Sequence, residues 1–234
     1  MKVRAGTSGY SYKEWKGNFY PQDLATTGML AYYAKLFSTV EINNTFYRMP
    51  TAKMLLSWAE QVPDNFAFVL KAPKRITHEK RLKNVQEDVA YLVKAMAALG
   101  SKRGPVLFQT PPFFRKDLAC LRDFLKLPPR DLPVAMEFRH QSWFDDEVFG
   151  VLREHNTALC LADADNELEI PFVSTADWGY LRLRRPEYTD ADLKDWAKRI
   201  AGQPWKDAFV FFKHEEAGKG PEFASRFLGF IDKQ

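Results

Sequence analysis

Two glutamates, Glu41 and Glu137, stand near the ends of short β-type runs, TVEIN at 39–43 and PVAMEF at 133–138, and each is followed two residues on by another polar group, Asn43 and Arg139. The placement recurs along the chain. Ser8, Lys71, Gln109, Asp163, Arg182 with Arg184, and Lys213 close other such runs. Side chains alternate on an extended strand, so the same-face positions deeper in these runs are Gly6, Val69, Leu107, Ala135, Leu161 and Phe211, all small or apolar. A polar ring above apolar layers is expected. Paired carboxylates across such a ring could exchange protons if their surroundings split their pKa values. Lys71, Arg139 and Arg182 would then stabilise an enediolate or hold a phosphate or carboxylate, and His140 is a second candidate base. The competing reading is that the charges pair with each other, Arg139 with Glu137 first.

Other residues point to further chemistry. Arg184 and Arg185, with Gly218-Lys219-Gly220 ahead of a helical pattern, could cradle phosphate or be a solvated turn. The loop carrying Tyr10, Tyr12, Trp15, Phe19 and Tyr20 could be a lid, a stacking wall or an apolar plug. His78, His140, His155 and His214 include no HExxH pair, and no GxSxG or Walker sequence occurs. Glu137, Asp163 and His214 could still form a composite site for a divalent metal.

The elements that must position these groups alternate along the chain. Strand patterns fall at 3–8, 39–43, 66–71, 104–109, 133–138, 157–162, 178–183 and 207–213, and helical patterns at 28–37, 51–61, 82–99, 117–126, 145–155, 190–201 and 221–232. Thr51 and Asp190 are expected as N-caps, Gly100 and Gly202 as C-terminal stops, and Pro221 at a first helical position. Eight strand–helix units at about 29 residues each imply an α/β fold, a single-domain (β/α)8 TIM-type barrel over 1–234 with a parallel eight-stranded core. In that fold the strand C-termini carry the site.

Composition agrees. The chain has 234 residues, 46% hydrophobic and 27% charged, which excludes disorder. No apolar run is long enough to span a membrane, and MKVRAGTSGY lacks the apolar core of a secretory signal, so a cytoplasmic location is expected. Cys120 and Cys160 form no CxxC pair and read as buried thiols. A net charge of +4 favours anionic ligands only mildly.

GTSGYSYKEWKGNFYP at 6–21, YYAKLFSTVEINNTFYRMP at 32–50, KAPKRITH at 71–78, GPVLFQTPPFF at 104–114 and AMEFRHQSWF at 135–144 resemble the YecE-like family, domain of unknown function 72. The resemblance implies a barrel related to sugar isomerases, with a reaction not established. It implies site roles for Glu41, Asn43, Thr45, Tyr47, Arg48, Lys71, His78, Arg81, Gln109, Glu137, Arg139, His140 and Trp143. The second half departs from the family pattern at Arg182-Leu183-Arg184-Arg185 and Lys213-His214-Glu215.

The expected function is binding of, or proton transfer on, a small anionic or polyhydroxylated molecule such as a sugar phosphate. Glu41, Glu137 and His140 would be catalytic; Tyr10, Trp15, Asn43, Tyr47, Arg48, Lys71, His78, Gln109, Arg139, Trp143 and Arg182 would bind. No cofactor is expected. The alternatives are a metal-dependent phosphodiesterase or nuclease-like hydrolase, and a barrel that binds a metabolite or nucleic acid without catalysis.

Overall fold

The computed structural model describes residues 1–164 and 168–231. Eight parallel strands form one sheet: β1 Lys2–Thr7, β2 Thr39–Ile42, β3 Ala67–Lys71, β4 Arg103–Gln109, β5 Val134–Glu137, β6 Ala158–Asp163, β7 Trp178–Leu183 and β8 Asp207–Phe212. Among the described residues seven α-helices surround it: α1 Met29–Tyr33, α2 Ala52–Ala59, α3 Gln86–Met96, α4 Leu118–Leu125, α5 Asp146–Glu154, α6 Asp190–Ala201 and α7 Lys219–Ile231. The expected barrel is present. Each strand lies within two residues of its sequence boundaries, and among the described residues no helix separates β6 from β7.

The sheet runs β1-β8-β7-β6-β5-β4-β3-β2, and the β1–β2 seam is closed by a bridge between Ser8 and Glu41 rather than by a full ladder. The Tyr33 hydroxyl enters this seam. It accepts from the Thr7 amide at 2.8 Å and donates to the Thr39 carbonyl at 3.1 Å, satisfying groups that a ladder would otherwise pair. Gly6 permits the close approach, since a Cβ there would sit 2.2 Å from the Thr39 carbonyl oxygen.

Two apolar layers follow from strand alternation. Val69, Leu107, Ala135, Cys160, Tyr180 and Phe211 fill the barrel, while Phe68, Val106, Met136, Leu159 and Leu181 pack under the helices. On β6 the expected face is reversed. Ala158 and Cys160 point inward and Leu159 and Leu161 outward, so Leu161 and Asp163 lie outside the barrel; a one-residue error in phase moves every side chain of a strand.

Several helix ends also differ. Thr51 caps α2 by accepting from the Met54 amide, but the cap of α6 is Thr189 with Asp192 in a capping box, and Asp190 is already helical. Pro221 is the third residue of α7, Gly202 follows α6, and Gly100 kinks the chain beyond α3. Residue 232, where the last helical pattern ends, lies outside the described residues. The pattern at 82–99 contains two structures. A π-helical turn, Arg75–Glu79, leads into Arg81, Leu82 and Asn84 at positive φ, and α3 begins only at Gln86. Leu82 is buried in the core although it is not helical, which is why the apolar periodicity ran through it. Cys160 is buried, whereas Cys120 is only half-buried.

Candidate functional site

The ends of β2, β5 and β7 bring Glu41, Glu137 and Arg182 together inside the barrel. Arg182 donates from Nη2 to Glu41 Oε1 at 2.8 Å and from Nη1 to Glu137 Oε2 at 2.7 Å, with all three side chains no more than 2% exposed. The remaining capacity of Glu41 is taken by a donor following the neighbouring β1 and by another on β7. Ser8 Oγ donates to Oε1 at 2.6 Å and the Tyr180 hydroxyl to Oε2 at 2.5 Å. Glu41 has no open face.

Glu137 carries two further guanidinium groups, Arg139 Nε at 3.1 Å and Arg184 Nη1 at 3.5 Å, both on Oε1. Burial would raise its pKa, but Arg182, Arg139 and Arg184 outweigh that and hold the carboxyl well below the usual range. It is a carboxylate at neutral pH. The two glutamates expected to trade protons are therefore both committed to one cation, and Arg182, expected at the ligand, lies beneath the ring as their bridge.

Above this buried layer the mouth is cationic. Lys71 ends β3 on the face shared with Ala67 and Val69, and its ammonium lies 4.0 Å from the Phe46 ring centroid. Among the described residues the ammonium makes no ion pair or hydrogen bond. Burial first, and the nearby Arg182 second, push its pKa from 10.5 down to about 8. Glu137 and Glu41 oppose the shift without cancelling it.

Polar atoms without partners surround the same opening. Asn43 Oδ1 and Gln109 Nε2 are buried and complete no hydrogen bond, although Gln109 lies near enough to favour the ionised form of Glu137. His78 packs edge-on against Phe46 at 4.9 Å, with its Nδ1 2.8 Å from Thr77 Oγ1. Burial, then Lys71 and Arg139, lower its pKa and favour the neutral ring. A cavity of about 470 Å³ opens between Glu137, Arg139 and Arg184 on one side and Pro112, Phe138 and Ile170 on the other. A smaller one of about 250 Å³ brings Tyr10 together with Asn43. The cavity of about 380 Å³ at the opposite end of the barrel is different in kind: Arg103 is paired with Asp131 and Lys206 with Asp177.

Other expected residues have structural positions. Trp15 is fully buried and donates to the Glu215 carbonyl at 2.9 Å, so the aromatic loop around it is a plug at this point. Trp143 is also fully buried, stacked on Phe138 at 4.5 Å and donating to the Phe114 carbonyl at 2.7 Å; it supports the cavity wall from behind. His140 accepts from the Ser142 amide and caps a short turn. Tyr47, 75% exposed, and Arg48 lie on the outer loop after β2 and line neither mouth cavity.

In the last two loops the cations expected to cradle phosphate have counter-charges of their own. Arg185 is paired with Asp163 and Asp192, and Lys219 with Glu187. Of that group, Arg184 alone turns to the mouth. The composite metal trio also fails, because Asp163 faces outward to Arg185, Tyr188 and Trp196, and among the described residues no three His, Cys, Asp or Glu side chains converge. Phe46 and Tyr180 were missed. Tyr180 had a signal, since it precedes Arg182 by two on the same strand face.

Comparison with known proteins gives a family and no reaction. The family model described as "Protein of unknown function DUF72" matches residues 4–234. UPF0759 protein YunF of Bacillus subtilis is 26% identical, over 92% of this chain and 90% of YunF. UPF0759 protein YecE of Escherichia coli K12 is 33% identical over 48% of this chain and 42% of YecE. The crystal structure of a DUF72 family protein from Thermotoga maritima superposes with a TM-score of 0.88 at 26% identity, covering 99% of this chain and 100% of that one.

Two predictions follow from the charge layer. Arg182→Met leaves buried Glu41 without a cation and Glu137 with only Arg139 and Arg184, and should cost about 3–5 kcal/mol, read as a lower thermal midpoint. Its stability should rise as pH falls from 7 and the carboxylates protonate, whereas the parent protein, with Glu137 held low, should lose stability only as pH drops below the ordinary value of 4.5. Lys71→Met should act oppositely, stabilising by about 1–3 kcal/mol because it removes a partly desolvated, unpaired ammonium. The folded chain holds fewer protons than the unfolded one between about 8 and 10.5, so this gain should be largest below pH 8 and fade by 10.5.

Proposed function

The chain belongs to the DUF72 family, and from that premise we propose that its barrel mouth binds a small anion, a carboxylate or phosphate ester bearing hydroxyl or carbonyl groups, and moves a proton on it with Lys71. The observation that carries this reading is the charge imbalance. Among the described residues four cations, Lys71, Arg139, Arg182 and Arg184, surround two carboxylates, Glu41 and Glu137. A phosphate monoester or dicarboxylate supplies the missing negative charge.

The geometry gives each group a task. Arg139 and Arg184 each offer Glu137 a single contact and retain other N–H groups for an anion at the cavity wall. Asn43 Oδ1 can accept from a ligand hydroxyl and Gln109 Nε2 can donate to an oxygen. Lys71, with its pKa near 8, is matched to proton transfer close to neutrality: as an ammonium it donates to a developing oxyanion, and as an amine it accepts from carbon or oxygen. Glu137 stays ionised, setting the positions of Arg139 and Arg184 rather than exchanging protons.

The test is thermal unfolding with inorganic phosphate, malonate and sugar phosphates beside the parent sugars. At 100 times its dissociation constant a bound anion adds about 2.7 kcal/mol, a shift of roughly 5–11 °C for a domain of this size. The shift should be lost in the Arg139→Met/Arg184→Met double variant and weaken as pH rises through about 8, where Lys71 loses its charge. Equal shifts from neutral sugars and their phosphates, insensitive to that double variant, would contradict the reading.

A further inference from the structure

We propose that Lys71 is a covalent nucleophile, forming an imine with an aldehyde or ketone whose carboxylate or phosphate is held by Arg139 and Arg184; this rests on the anion site proposed above. The inference starts from geometry. Lys71 is an inward-facing lysine at the C-terminal end of a barrel strand, within the electrostatic reach of Glu137, Glu41, Arg182, Arg139 and His78. Buried lysines usually pair with a carboxylate. Here the carboxylates that reach it among the described residues are already bonded to guanidinium groups, and the contact of the amine is an aromatic face.

That arrangement favours an amine over an ammonium for two independent reasons: lost hydration and neighbouring positive charge. It also supplies what an imine needs on the other side. Arg139, whose charge reaches Lys71, and Arg184 line a cavity with Pro112, Phe138 and Ile170 and would orient the anionic end, and ionised Glu137, whose charge also reaches Lys71, would offset a positive iminium nitrogen. A strained segment holds the opposite rim. His78 sits in the π-helical turn that runs into the left-handed residues Arg81 and Leu82, a conformation maintained at a cost next to the amine.

The step balances. The amine nitrogen bonds to the carbonyl carbon as the C–O π pair moves to oxygen, and one N–H proton transfers to that oxygen to give a carbinolamine. A proton from solvent lets the oxygen leave as water. The nitrogen lone pair completes the C=N bond, and the iminium keeps the second N–H proton.

Reductive trapping tests this on the whole protein. Glyoxylate is the probe, sodium cyanoborohydride delivers hydride to the iminium carbon, and peptide mass spectrometry locates the resulting carboxymethyl-lysine. Lys71 should be labelled roughly tenfold to a hundredfold faster than exposed lysines at pH 7, with a rate that rises to a plateau above pH 8 and slows in Arg139→Met. Lys71→Arg should abolish the fast label while the slow labelling elsewhere is unchanged. Labelling of Lys71 no faster than exposed lysines overturns the proposal. Malonate, which has no carbonyl open to an amine, separates the two readings by thermal shift. A malonate shift without trapping overturns the imine and leaves the anion site standing, whereas neither signal removes both.

Discussion

One guanidinium shared by two buried carboxylates sets the conditions for the rest of the barrel mouth. Arg182 spans the interior from β7 to β2 and β5, so the strands at opposite sides of the cylinder are tied by charge-assisted hydrogen bonds at 2.8 and 2.7 Å. Such a bridge is costly to desolvate and becomes tolerable only when its lone pairs and protons are used. Ser8, Tyr180, Arg139 and Arg184 use the carboxylate lone pairs, while Arg182 Nε is buried without a partner among the described residues. Ser8 is also the residue whose backbone closes the β1–β2 seam, so the charge layer and the closure of the barrel meet at the same point.

The bridge explains why the next layer is available for function. With Glu41 and Glu137 committed below, Lys71 is left, among the described residues, without a counter-charge in a partly desolvated position, and the stability it forgoes is the natural companion of a binding site. Its surroundings are held by stiff local structure. Phe46 lies beneath it, the π-helical turn places His78 beside Phe46, and Trp143 backs the wall at Phe138.

The barrel was legible because strand alternation and helical periodicity are long-range signals that loops do not disturb. All eight strands fall at their expected places, and the polar ring is real at the ends of β1, β2, β3, β4, β5 and β7. The failures have separate causes. Asp163 was misplaced by a one-residue phase error on β6, where the charged residue at the strand end lies on the outer face with Arg185 and Trp196 and apolar Ala162 on the inner one. The start of α3 was misplaced because Leu82 is buried from a left-handed backbone, which periodicity does not distinguish from a helix. The role of Glu41 and Glu137 was misread for a deeper reason. Sequence spacing shows that two carboxylates share a layer, but not that an arginine from a distant strand lies between them. Trp15 and Trp143 illustrate the same limit, since motif residues can recur because they hold a site's walls rather than touch its ligand.

Among the described residues the mouth offers Lys71 no carboxylate partner, and an arriving anion would supply one. The direct measurement is an NMR titration of the Lys71 side-chain amine in protein with isotopically labelled lysine, with and without saturating malonate, the resonance being assigned by Lys71→Arg. The account predicts a midpoint near 8 in the free protein and a higher one with malonate bound, since an anion that prefers the ammonium must raise its pKa by linkage. A midpoint at the ordinary value of 10.5 that malonate does not move would contradict it.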